Sequence, residues 1–292
     1  MYPAGQLSEA LRSRKTMFLA ADHWTSIPCQ FSAKTSRELL LDITVYAPGL
    51  LERADQIKQL RSIEGDNTED QGCVDSCNSQ NDRCSQAVVY LQDCDSLIRK
   101  LDGWLGSLHE SKKGPLWWYS EAPALIAKEA PSNPHQPVNL KSGGKAHQSS
   151  LIHFSSPRIP VLLLSYWTIL LELSTATLEV RNLFGHHPLF ATFSEVLGVD
   201  SPCMAVGVDM PTKLALRVCQ TVMHLSSSLE GCTMAYIPTK LAENHFTRLL
   251  STYQGHCKDD SNRPQNYEMA KIGLQCSKKA FAMVQKTLQN YQ

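Results

Sequence analysis

Residues 160–184 read PVLLLSYWTILLELSTATLEVRNLF. Between 161 and 173 only Ser165, Thr168 and Glu172 interrupt the apolar run. A helix that is apolar on nearly every side has to be covered on every side, so this segment predicts a central, buried helix. Pro160 suits a first helical turn, and Gly185 suits a C-terminal stop. The run from 161 to 173 is shorter than the roughly 20 residues that cross a bilayer, so no membrane span is expected.

Other helices gather around this one. Residues 37–60 place Ile43, Tyr46, Leu50, Ala54, Ile57 and Leu60 at steps of three and four, with Pro48-Gly49 expected to kink or split the helix. Residues 85–108 carry the clearest stripe: Ala87, Tyr90, Cys94, Leu97, Leu101, Trp104 and Leu108. Three more helical patterns, at 212–229, 239–253 and 264–288, close the chain. No period-two alternation stands out. The expected fold is all-α, an irregular helical bundle around the central hydrophobic helix. The expected organisation is a flexible N-terminus over 1–16 and a single helical domain over 17–292. Mobile loops are expected near 61–82, where acidic residues sit among Gly, Ser, Asn and Gln, and near 127–150, which is broken by Pro131, Pro134, Pro137, Gly143 and Gly144.

Composition limits the function. The chain has 292 residues, 42% of them hydrophobic, which is enough for a packed core. Lys plus Arg and Asp plus Glu each total 28, so no general attraction to nucleic acid is expected. The densest basic cluster is Arg12, Arg14 and Lys15. Ten cysteines spread over a chain this long do not resemble a disulfide scaffold, and there is no signal-peptide pattern. An intracellular protein with free thiols is expected.

The patterns that carry chemistry are incomplete. Ser142-Gly143-Gly144-Lys145-Ala146 lacks the Gly and the Ser or Thr that a phosphate loop requires at 139 and 146. His186-His187 is an adjacent pair, awkward for chelation because neighbours do not share a helix face. Cys73, Cys77, Cys84 and Cys94 would have to enclose a zinc ion without a tight C-x2-C knuckle, and no zinc site is expected there. Asp259-Asp260 invites a terpene-synthase reading, but Arg263 stands where a third carboxylate would hold magnesium, and the companion motif at Asn81 and Ser85 ends on Val89. No cofactor and no catalytic residue is assigned. Trp117, Trp118 and Tyr119 form a dense aromatic cluster: a partner or ligand surface, or else a loop pinned to the core, which is the favoured reading of the two.

In their order along the chain, several segments together resemble the regulatory region of fungal binuclear zinc-cluster (Zn2Cys6) transcription factors. They are Phe18-Leu19 with Trp24-Thr25-Ser26-Ile27-Pro28; Leu39-Leu40-Leu41-Asp42-Ile43 followed by Pro48-Gly49-Leu50-Leu51-Glu52-Arg53-Ala54-Asp55; the helix ending from Leu97 to Trp104 and then Leu116-Trp117-Trp118-Tyr119; Pro157-Arg158-Ile159 leading into Leu163-Leu164-Ser165-Tyr166-Trp167; Ala215-Leu216-Arg217-Val218-Cys219-Gln220-Thr221-Val222; and Pro238 with Lys240-Leu241-Ala242. The resemblance covers roughly residues 17–285. It implies a helical regulatory module, nuclear or cytoplasmic, possessing no enzymatic activity and controlling genes such as those of a secondary-metabolite cluster. The family's DNA reader, C-x2-C-x6-C…C-x2-C-x6-C, has no counterpart here. Direct sequence-specific DNA binding is therefore not expected; protein partners are, either a DNA-binding transcription factor or a second copy of the chain. The alternative is a helical biosynthetic enzyme or small-molecule binder.

Overall fold

A computed structural model describes residues 4–21, 33–62, 74–112, 114–120, 151–184, 202–207, 209–256 and 265–291. Among them the fold is an α-helical bundle with one small ribbon of two strands. The elements in chain order are α1 (Ala4–Ser13), a 3-10 turn (Phe18–Ala20), α2 (Ser36–Thr44), α3 (Ala47–Ser62), α4 (Val74–Ser111), β1 (Trp117–Ser120), β2 (Leu151–Phe154), α5 (Ile159–Phe184), α6 (Pro202–Ala205), α7 (Asp209–Leu225), α8 (Leu229–His256) and α9 (Gln265–Gln289).

The apolar segment is the centre of the bundle. Helix α5 packs against α3, α4, α7 and α8. Leu163, Leu164, Trp167, Ile169, Leu171 and Leu173 are all buried, as the all-round apolar pattern requires. Each such aliphatic side chain contributes about 1.5–3 kcal/mol by leaving water. The helix continues beyond Leu173 to Phe184, and its 26 residues are long and apolar enough to cross a membrane; in the bundle 72% of its most apolar stretch is buried. Helices α7, α8 and α9 pack on one another beside α5.

Pro48 acts at the split between α2 and α3. Thr35 caps α2 in a reciprocal capping box with Glu38. The chain turns at Val45 and Tyr46, and Pro48 falls in the first turn of α3, where its missing N–H has no intrahelical acceptor to serve. Asp95 and Arg181 hold the short α6 at its two ends. Cys203 N donates to Asp95 Oδ1 (3.3 Å), and Arg181 Nη1 donates to the carbonyls of Cys203 (3.2 Å) and Val206 (3.1 Å).

Three expectations need correction. The N-terminal segment is not loose throughout: α1 packs on α3 and α8, because Leu7 and Leu11 face the core. Residues 74–82, expected to belong to an acidic loop, form the first turns of α4. Trp117, Trp118 and Tyr119, read as a pinned loop, belong to a strand, 117–120, paired antiparallel with 151–154. The expected loop near 127–150, Trp24-Thr25-Ser26-Ile27-Pro28, Ser142–Ala146, His186-His187, Asp259-Asp260 and Cys73 lie outside the described residues.

Candidate functional site

The aromatic cluster sits on the ribbon. Gly114-Pro115 follows the end of α4, and Leu116 is fully buried at the ribbon's base, where its carbonyl accepts from Ser155 N at 3.1 Å. Trp117 pairs with Phe154, Trp118 with His153, Tyr119 with Ile152 and Ser120 with Leu151. Side chains alternate between the two faces of such a ribbon. Trp117 turns inward, edge-on to Trp167 of α5 with ring centroids 5.4 Å apart. Ile152 is buried, and Phe154 meets His224 of α7 edge-on at 4.9 Å. Burial, helped by the nearby His153, pushes the His224 pKa down. A two-stranded ribbon is marginal by itself, so this packing on α5 and α7 is what supports it.

The other face carries Trp118, 46% exposed, stacked on His153 at 5.8 Å with the rings 16° from parallel. His153 Nε2 lies 2.8 Å from Ser120 Oγ. Tyr119, paired with the buried Ile152 and so on the face of Trp117, is nevertheless 36% exposed. The three residues singled out in the sequence therefore divide: Trp117 anchors the ribbon to the core, while Trp118 and Tyr119 present aromatic surface to solvent. Stacking and backbone pairing hold the Trp118 indole in place, so a contact with it would cost little side-chain entropy.

A second feature, absent from the sequence reading, is a charge network beneath α1. Glu172, in the middle of the apolar helix, has a side chain only 4% exposed. Arg14 Nη1 donates to its Oε2 at 3.3 Å, and Arg14 Nε lies 2.7 Å from Asp55 Oδ2 without the alignment of a hydrogen bond. Arg14 reaches this position from a left-handed backbone, φ 51°. Lys58 bridges Asp55 (2.8 Å) and Glu179 (2.7 Å), and Arg248 reaches Glu179 at 3.0 Å. Burial raises the Glu172 pKa; Arg14 and then Arg248 oppose that rise.

Cys84 and Cys94 cannot belong to one four-thiolate centre. Cys84 and Cys94 stand ten residues apart on α4, about 15 Å of helical rise, whereas sulfurs sharing one zinc lie within about 4 Å of each other. Both thiols are buried. Burial pushes the Cys94 pKa up to about 12, and Cys203 and Cys219 are raised for the same reason, so these are packing thiols and poor nucleophiles.

A cavity of about 100 Å³ opens where α1, α2, α5 and α8 meet. Its walls are mostly apolar, with the hydroxyl residues Ser8, Thr44, Ser165 and Thr168 among them, and Arg37 is the one charged residue lining it. Comparison with known proteins returned no match among family models, curated proteins or solved structures.

Proposed function

We propose that the chain is a regulatory interaction protein of the transcription-factor type, which acts by docking a protein partner through the β1–β2 ribbon and does not itself read DNA. The observation that carries this reading is the exposed Trp118 indole, held against His153 on a ribbon that Trp117 pins to the core. Rigid, half-exposed aromatic side chains dominate the energetics of protein interfaces. The ordered resemblance to zinc-cluster regulators supports the transcriptional setting, and with it a nuclear location and control of a secondary-metabolite cluster. The balanced charge, 28 basic against 28 acidic residues, argues against strong phosphate-driven binding to DNA. The enzyme alternative finds less support. Two buried polar side chains that could serve chemistry are engaged in packing: Tyr166 donates to Asp102 (2.9 Å), and His245 shares a hydrogen bond with Thr212 (3.2 Å).

The test is a reporter assay with the chain fused to a heterologous DNA-binding domain, beside a titration of the unfused chain against promoter and scrambled DNA at physiological salt. The fusion should change reporter output. Trp118→Ala should weaken partner binding by about 30-fold, the effect of losing a hot spot worth about 2 kcal/mol. The unfused chain should not distinguish promoter from scramble. A silent fusion, or tight binding that selects the promoter, overturns the proposal.

A further inference from the structure

We infer that the cavity between α1, α2, α5 and α8 is a binding site for a short aliphatic monocarboxylate, held chain inward with its carboxylate at Arg37. This inference is independent of the ribbon and of the partner that the ribbon is proposed to bind.

The walls dictate the chain. Leu11 from α1, Leu40 from α2, Ile169 from α5 and Ile237 from α8 face the space. Three of the hydroxyls on the lining already donate to their own helix: Thr44 to the Leu41 carbonyl (3.2 Å), Ser165 to Val161 (3.2 Å) and Thr168 to Leu164 (2.7 Å). These groups have no proton left for a guest, so a polar group pushed inward would lose its water without adequate replacement. An alkyl chain loses nothing there.

The rim dictates the head group. Arg37 is exposed, in the first turn of α2, and among the described residues no carboxylate pairs with it. The surrounding charges are already engaged. Lys34 pairs with Asp42, Glu38 is tied into the Thr35 capping box, and Glu9 pairs with Arg12 on α1. A guanidinium offers two parallel donors that match the two oxygens of a carboxylate. An aliphatic wall beneath a single unpaired cation is complementary to a chain ending in one anion.

The volume sets the length. A closed apolar cavity of roughly 150 Å³ takes a benzene molecule, so one of 100 Å³ takes about four carbons, and the open mouth accommodates a few more. Six to eight carbons is the expected fit, on the order of two to four beyond the enclosed portion.

The experiment measures binding of the full chain to the straight-chain acids from butanoate to decanoate and to the matching primary alcohols, by calorimetry below micelle-forming concentrations. Affinity should rise about fourfold per methylene and then level off once the cavity is full. Arg37→Gln should weaken the acids by about two- to fivefold, the range of a solvent-exposed ion pair, and leave the alcohols unchanged. Ser165→Leu, which fills the space from α5, should abolish saturable binding of both, and Leu41→Phe should do the same from α2. Trp118→Ala should have no effect, which separates this result from the fate of the ribbon. Absence of saturable binding overturns the inference. So does affinity that climbs through decanoate without a plateau, or binding that survives both filled variants. Equal loss of acid and alcohol in Arg37→Gln overturns the carboxylate assignment.

Discussion

Gly273 of α9 lies against Phe246 of α8, and adding one methyl group there tests how the C-terminal helices pack. A Cβ at this position would fall 2.2 Å from Phe246 Cε1, 2.4 Å from Cζ and 2.6 Å from Cδ1. Carbon atoms pack at about 3.5–4.0 Å, so ring and helix must separate by more than about 1 Å. Phe246 is fully buried and has no solvent to retreat into. Forcing volume into such a site costs about 1–3 kcal/mol. Replacing a mid-helix glycine by alanine returns about 1 kcal/mol of helix propensity. With Cβ contacts of 2.2–2.6 Å the clash falls toward the upper part of that range and wins, and Gly273→Ala should destabilise the fold by up to about 2 kcal/mol. At a helix position with room, the same substitution would stabilise, so the sign alone is diagnostic. Phe246→Leu removes the far ring atoms and should cost on the order of 1.5 kcal/mol by itself. In the double variant the methyl group finds space, and the two costs should fall short of their sum by about 1–2 kcal/mol. Urea denaturation reads all four corners of the cycle, provided the m-value is unchanged. A stabilised Gly273→Ala, or additivity within about 0.5 kcal/mol, refutes this packing.

Two further expectations concern pH, with opposite signs. His245 is buried and its pKa is depressed to about 4, chiefly by burial and then by Arg248, so the unfolded chain takes up a proton that the folded chain refuses. Its contribution is complete above about pH 6.5 and is lost as pH falls toward 4, on the order of 3 kcal/mol in total; a His245→Gln variant whose stability falls as steeply through that window as the parent's sinks the assignment. Glu172 behaves inversely. Its pKa is raised, so the folded chain holds the proton more tightly, and stability is lost as pH rises above the ordinary carboxylate range. Glu172→Gln should be no less stable than the parent at neutral pH, with the advantage vanishing in acid; a variant weakened by more than about 1 kcal/mol at pH 7 would mean that the Arg14 pair is a net gain.

How much of this was legible in the sequence depends on the sequence distance over which each feature is encoded. The α5 core was legible because periodicity is local: thirteen residues with three interruptions leave the helix no exposed face, and Leu163 and Leu170 are both buried. The split before Pro48 was legible because one residue determines it. The first turns of α4 were not. Residues 74–83 are mostly polar, which leaves too few apolar positions to write a stripe, and Asn81 and Asp82 are exposed. The ribbon failed for a different reason. Each strand has four residues, too short for alternation to stand out, and its partner lies about thirty residues away. Aromatic density alone identified Trp117, Trp118 and Tyr119, but which ring meets the core depends on the pairing register and on what packs against each face. Glu172 was visible as an interruption of the apolar run, while its partner Arg14 lies 158 positions earlier in the chain. A single acid in a buried helix demands a cation, and folding supplied it from the segment that the sequence had marked as loose. Burial of Leu7 and Leu11 fixes the N-terminal segment, and Arg14, at a positive φ, then sets a counter-charge beside a carboxylate that would be costlier to bury alone.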